Sequence, residues 1–526
     1  MMDTSMSQED QALGKWIVIG LLLLSMPAAA GTMAVRTGSG LVEGVLSQDS
    51  RTISYKGLPF AAPPVGLLRW APPQPPSGWT GIRRADHFGP DCPQSRQDGV
   101  QPLVNAMAED CLTLNVWKPT GGSRPLPVMF WIFGGSFVAG STSDPKFDGE
   151  ALARQGVVLV TVNYRLGALG YLAHPALSRS SPTGASGNYG LMDNIAALRW
   201  VRQNIAGFGG DPTRVTVFGQ SSGGVSVNML LSAPTAHGLF VGGIIQSGPL
   251  FGLTPTIRDR PSAEAFGKRF MDDRGAYTLH AMRELPWQSM LMLTADEKKA
   301  MLLPFAPIAD GALLPLSSIA TFQHGMEDPV PLIIGSTAQE NSSSAPLHVT
   351  PALFEAWARE TYGDRSAHVL SLWPHTTDAE ARHSRIQARA YAINEGTQYE
   401  ALLHVRHQRN TFAYRFDRPT PGPDSILYGA DHGSDVAYTF GNLDPARHPW
   451  TAVDTGIKND LMGYWLNFAK RGNPNGPGLP YWPRIGTAPG SLLIFSDVRH
   501  PQEIDDIERL HASRRANDAI AAPLVP

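Results

Sequence analysis

Four stretches of the chain are apolar almost without interruption over strand length: residues 128–133, 157–164, 215–218 and 332–334. A strand with one wet face alternates apolar and polar positions, so these runs predict strands buried on both faces of a largely parallel sheet. Between them the period changes. Ile195, Leu198, Val201 and Ile205 recur at helical spacing, and the alternation of strand and helix predicts an α/β layer architecture. From about Thr37 to Pro76 the chain is instead rich in Gly and Pro, with short alternating runs such as Thr52-Ile53-Ser54-Tyr55. That pattern predicts a small antiparallel sheet near the N-terminus. The polar stretches 339–344 and 419–424 read as surface loops, and no repeat or low-complexity linker divides the chain, so residues 31–526 are expected to form one large domain.

The first thirty residues stand outside this alternation. Lys15 precedes the apolar residues 16–26, and Pro27-Ala28-Ala29-Ala30 puts small residues where a signal peptidase reads. The run is shorter than the roughly 20 residues a membrane span needs. Residues 1–30 are therefore read as a signal peptide, and the mature protein as secreted or periplasmic with no stable membrane insertion. Asp3, Glu9 and Asp10 are untypical ahead of such a run, which makes Met6 an alternative start. Export changes the reading of Cys92 and Cys111, the 2 cysteines of the chain. In an oxidising compartment such a pair reads as a disulfide, against the alternatives of two free thiols or a metal site. Two cysteines without a nearby histidine pair do not complete a tetrahedral zinc set.

Charge narrows the partners. The 43 Lys and Arg residues against 46 Asp and Glu give a net charge of -3, and no basic run reaches five residues. The field that carries nucleic-acid binding is missing.

The strongest chemical signal is Val215-Thr216-Val217-Phe218-Gly219-Gln220-Ser221-Ser222-Gly223-Gly224. A strand runs into G-x-S-x-G and then into a helix-forming segment, which is the context a nucleophile elbow requires. Ser221 at the apex has to adopt a strained backbone, and side chains two positions either side would collide there, so Gly219 and Gly223 are needed. The N–H of Ser222, at the start of the following helix, is placed to donate to an oxyanion. A serine hydroxyl needs a base, and the base needs a carboxylate, in the chain order Ser, acid, His for an elbow of this kind. Among the 15 histidines, His432 in Gly429-Ala430-Asp431-His432-Gly433-Ser434-Asp435 is the candidate base. His404 and His407 read as a solvated helix face. Glu340 follows the strand-like run 332–334, whereas Glu327 and Asp328 precede it, at the wrong end for a site on the carboxyl edge of a sheet. Glu340 is therefore the candidate acid. Gly134-Gly135-Ser136 after residues 128–133 offers the second set of oxyanion donors. No H-E-x-x-H, P-loop or G-x-G-x-x-G is present, and the chemistry asks for no cofactor and no metal.

With these residues in place, the chain resembles the type-B carboxylesterase family, which includes cholinesterases, some fungal lipases and p-nitrobenzyl esterases. The resemblance runs in order from Gly57-Leu58-Pro59-Phe60-Ala61 through Glu109-Asp110-Cys111-Leu112 and Phe208-Gly209-Gly210-Asp211-Pro212 to the elbow, Glu340, His432 and Trp465-Leu466-Asn467-Phe468. It implies an α/β-hydrolase fold, a Cys92–Cys111 disulfide, a Ser221–Glu340–His432 triad, and oxyanion donors at Gly135, Ser136 and Ser222. It also implies a serine esterase that takes a small-molecule ester through an acyl-enzyme. Lipid, amide or thioester substrates, and a non-catalytic binding protein on the same fold, are the alternatives. Oligomeric state is not readable.

Several positions depart from the family pattern. Ser136 stands where a third glycine is common, which narrows the space and disfavours bulky tertiary alcohols. Gln220 and Ser222 stand where Glu and Ala are usual, Asn341 where Gly is frequent, and Asp435 where Glu is frequent. No tryptophan lies between the cysteines, which removes the expected support for choline esters. The pocket is expected to draw on Phe251 and on residues 261–305, where Met290, Met292 and Met301 read as core or lid packing.

Overall fold

The computed structural model describes residues 33–94, 105–122, 124–251, 258–294, 305–485, 492–497 and 500–502. The segment read as a signal peptide, and Met301, lie outside them. The strands, in chain order, begin with β1 (Ala34–Thr37), β2 (Gly40–Glu43), β3 (Val45–Leu46), β4 (Thr52–Pro59) and β5 (Ile82–Arg84). The central ones are β6 (Thr113–Pro119), β7 (Leu126–Ile132), β8 (Val158–Val162), β9 (Gly210–Gln220) and β10 (Gly242–Gln246). After the short β11 (Arg258–Asp259) and β12 (Ile308–Ala309) come β13 (Leu332–Thr337), β14 (Thr411–Phe416), β15 (Leu492–Phe495) and β16 (His500–Gln502).

Eleven strands form one sheet in the order β16-β15-β14-β13-β10-β9-β7-β8-β6-β4-β3. The run from β15 to β8 is parallel throughout, and antiparallel strands close both edges. The uninterrupted apolar runs are the cause: every residue of β8, β10 and β13 is buried, because helices cover both faces of the parallel part. Ile195, Leu198, Val201 and Ile205 all face the core along the helix Tyr189–Asn204 and its C-cap. Chain order reverses at β7, which has β8 on one side and β9 on the other. A crevice forms outside the carboxyl ends of strands at such a switch point.

Two expectations are corrected. Thr52–Tyr55 does not belong to the small sheet. It lies in β4, which pairs antiparallel with β6 in the main sheet and buries Tyr55 edge-on against Phe208, with ring centroids 4.9 Å apart. The small sheet is β1-β2-β5, and it is mixed, because the long excursion after β4 returns the chain to β2 in the parallel sense. His404 is also not on a solvated face. The helix Asp378–Arg406 packs on the sheet, so His404 is fully buried, its Nδ1 2.7 Å from Thr411 Oγ1, and desolvation pushes its pKa down to about 3. Cys92 and Cys111 are joined in a disulfide. Among the described residues no helix is long and apolar enough to cross a membrane.

Candidate active site

The sheet register aligns the ends from which the candidate residues project. Ile132 pairs with Gly219, Gln220 with Gln246, and Gln246 with Gly335. The loops after β7, β9 and β13 therefore leave the sheet at one level. Ser221 caps the helix Ser222–Ser232 with φ 57 and ψ -129, a left-handed strained conformation for a residue with a side chain. Its N–H donates to the Gln246 carbonyl at 2.8 Å, which ties the elbow to β10. A Cβ at Gly223 would lie 2.1 Å from the Ile132 carbonyl oxygen, and one at Gly219 would lie 2.5 Å from Gly223. Both collisions involve backbone, so neither can be relieved by a rotamer change.

Glu340 is fully buried and its Oε1 accepts the Thr337 N–H at 2.9 Å. Its Oε2 accepts from His432 Nδ1. Two devices bring these residues together across the sequence. Asn341 adopts φ 59 and ψ 30, the left-handed turn that asparagine tolerates. The Gln339 and Ala430 backbones are joined by Gln339 N–H to Ala430 O at 3.0 Å, and the Gln339 side chain accepts from the Ala430 N–H at 2.8 Å. Burial alone would raise the Glu340 pKa, but the adjacent His432, joined by hydrogen bonds from Ser247 and the Thr337 N–H, outweighs it and holds the carboxyl below its ordinary value. For His432, burial pulls downward, while Glu340, Asp431 and Asp435 together carry it above the ordinary histidine value. Asp435 is itself buried, accepting from Gln246 Nε2 at 2.9 Å and Tyr414 OH at 2.7 Å, and burial raises its pKa.

The loop after β7 turns through three successive positive φ values, 128 at Gly135, 56 at Ser136 and 62 at Phe137. A Cβ at Gly135 would lie 2.1 Å from the Ala139 carbonyl oxygen. Among the described residues, the N–H groups of Gly135, Ser136 and Ser222 donate to no protein acceptor. The Ser222 hydroxyl accepts from the Phe137 N–H at 3.3 Å, joining this loop to the elbow.

A cavity of about 340 Å³ is lined by Gly134, Gly135, Ser136, Gln220, Ser221 and His432. Polar side chains from elsewhere join them, notably Asp91, Ser143 and Lys146. Asp91 accepts from the hydroxyls of Ser141 and Ser143, while Lys146 pairs with Asp144 at 3.0 Å. The expected Phe251 is not in this lining; it is buried edge-on against Tyr399 at 4.8 Å. Met290 is buried and Met292 is 74% exposed, so neither forms the wall of this cavity. The loop that follows β7, residues 134–147, supplies much of the wall instead. Sequence reasoning also missed Gln220: its side-chain amide lies 3.0 Å from His432 Nε2, a contact between residues far apart in the chain that no local spacing announces.

The chain matches known proteins over most of its length. Residues 31–506 match the Carboxylesterase family, and the chain belongs to it. It is 35% identical over 489 residues to the fumonisin B1 esterase of Sphingopyxis macrogoltabida, covering 90% of this chain and 88% of that one. It is 32% identical to the para-nitrobenzyl esterase of Bacillus subtilis, over 91% and 99% of the two chains. The solved structure of a PNB esterase superposes with a TM-score of 0.80 at 30% identity, over 91% of this chain and 99% of the other. The fold is that of an α/β-hydrolase, and the protein is a carboxylic ester hydrolase.

Proposed function

We propose that the ester is cleaved by two-step acyl transfer on Ser221. The observation that carries this is the pairing of His432 with buried Glu340 in the same cavity as the left-handed Ser221. Ser221 Oγ attacks the ester carbonyl while His432 Nε2 takes its proton, and Glu340 stabilises the imidazolium. The N–H groups of Gly135, Ser136 and Ser222 bind the oxyanion. His432 then protonates the departing alcohol, and water activated by the same nitrogen hydrolyses the acyl-enzyme, restoring Ser221. The size of the cavity and the polar side chains of Asp91, Ser143 and Lys146 along it favour compact, polar esters over long-chain lipids. The protein is exported, a reading supported by the apolar segment 16–26 and by the Cys92–Cys111 disulfide.

Hydrolysis of p-nitrophenyl esters from acetate to palmitate, with wild type and Ser221→Ala side by side, tests this. Short esters should be cleaved by wild type, and kcat should fall by at least about a thousandfold in the variant. Equal rates in the two proteins would remove Ser221 from the mechanism.

A further inference from the structure

His432 sits among acids. Glu340 approaches from the loop after β13, Asp431 and Asp435 flank it on its own loop, and all three favour the imidazolium. The helix Asp378–Arg406 contributes one opposing charge, Arg389, which interacts with Asp431 and Glu340. A general base has to be neutral to accept the proton of Ser221, and a donor facing Nε2 would favour that state. The Glu340 carboxylate only accepts hydrogen bonds, so in the neutral ring the proton sits on Nδ1 and Nε2 keeps a lone pair. The group 3.0 Å from Nε2 must then be a donor, and it is the Gln220 side-chain N–H. Among the described residues no hydrogen bond joins Ser221 Oγ to His432.

The Gln220 amide is held there by a slot. A Cβ at Gly433 would lie 3.2 Å from Gln220 Nε2, and one at Gly134 would lie 3.1 Å from its Oε1 and 2.5 Å from its backbone oxygen. The side chain thus lies closely between the loop that follows β7 and the histidine loop, and a Cβ on either neighbour would press on it. Gln220 occupies a position where the family usually carries glutamate, and a carboxylate here would be a fourth acid beside one imidazole.

We infer that Gln220 is a positioning residue that keeps His432 neutral at rest, offsetting Asp431 and Asp435, and yields Nε2 to the Ser221 hydroxyl when substrate arrives. Once Nε2 is protonated, a half-turn of the amide presents Oε1 to the new N–H, so one side chain serves both ring states. Glutamate would serve only the charged state. This inference rests on the assignment of Ser221 and His432 given above.

The test is the pH dependence of kcat/KM on p-nitrophenyl butyrate, joined to an NMR titration of the His432 ring. Gln220→Glu should move the acidic limb up by about one pH unit, a tenfold loss below the limb. Adding Asp431→Asn should return at least half of that shift. The ring titration should move by the same amount, and it reads the inference even if no ester is turned over. A wild type with inert ester chemistry but a shifted ring in Gln220→Glu would sink the esterase mechanism and leave this inference standing. A limb and ring unmoved within about 0.3 unit would overturn it. If Gln220→Glu does not fold, wild-type protein labelled with 15N at Gln and His still decides the matter. Scalar coupling across the Gln220 Nε2–H···Nε2 His432 bond is expected, and its absence above the limb overturns the inference.

Discussion

At the scale of single residues, the chemistry depends on which of two opposing effects wins at each buried group. For Glu340 the His432 contact and the hydrogen bonds from Ser247 and Thr337 together outweigh desolvation, so the carboxylate stays ionised; for His432 its three acidic neighbours outweigh burial. Because the base acts only when neutral, kcat/KM should rise with pH through a value above 6.5. Glu340→Gln removes the largest of the acidic influences on the ring. That variant should lose about a thousandfold or more in kcat, and its residual activity should show an acidic limb shifted to lower pH; a limb left in place would mean that Glu340 does not set the His432 pKa. Ser222→Ala is a milder change. It deprives the Phe137 N–H of its acceptor at 3.3 Å and loosens the loop that presents Ser136, so kcat should fall about three- to tenfold with KM nearly unchanged. Steady-state kinetics on a short ester would check it. The contact of Glu340 with His432 was legible because an acid after a strand, with a histidine later in the chain, is the order an elbow demands. Gln220 was not, since its partner follows more than two hundred residues later and only the closed sheet brings them within 3.0 Å.

At the scale of elements, the elbow is a junction that no side chain can enter. β9 and the helix Ser222–Ser232 meet with Gly223 against the backbone of β7, where a Cβ would lie 2.1 Å from the Ile132 oxygen. Gly223→Ala has to push β7 and the helix apart or unwind the first helical turn. Either displaces Ser221 and the Ser222 N–H together, so activity should be lost while thermal denaturation falls by several degrees, equivalent to about 2 kcal/mol or more. A variant with wild-type melting and activity would show that the junction has slack. The apolar runs announced β7, β8, β9 and β13 because strands buried on both faces leave no room for alternation. The same signal misplaced Thr52–Tyr55. A short alternating strand has the same pattern in a small sheet as on the edge of a large one, and only the pairing of β4 with β6 distinguishes them.

At the scale of the whole molecule, Glu400 couples folding to pH. It is fully buried beneath the loop that follows β10, its Oε2 accepts the Leu250 N–H at 2.6 Å, and burial pushes its pKa up to about 8. The unfolded chain ionises this carboxyl near the ordinary value while the folded chain keeps it protonated. Its stabilising contribution is therefore full below that ordinary value and is lost as pH rises through about 8. Glu400→Gln cannot titrate, so it should lose less stability than wild type between pH 5 and 9, with a gap on the order of a few kcal/mol by the upper end. Parallel melts of the two proteins across that range would show it, and curves that stay parallel would refute it. The amino-acid sequence by itself determined the layer architecture and the strand-turn-helix elbow at Ser221, and it named Glu340 and His432, which the structure brings into contact. The first two follow from the burial of continuous runs and from local sterics, both written in consecutive residues, and the last from the chain order that an elbow requires. The tertiary structure alone decided which walls enclose the cavity, that His404 is buried rather than solvated, and that the Gln220 amide meets His432. Those outcomes depend on how strands distant in the chain pair and how far their loops reach, and no single segment carries that information.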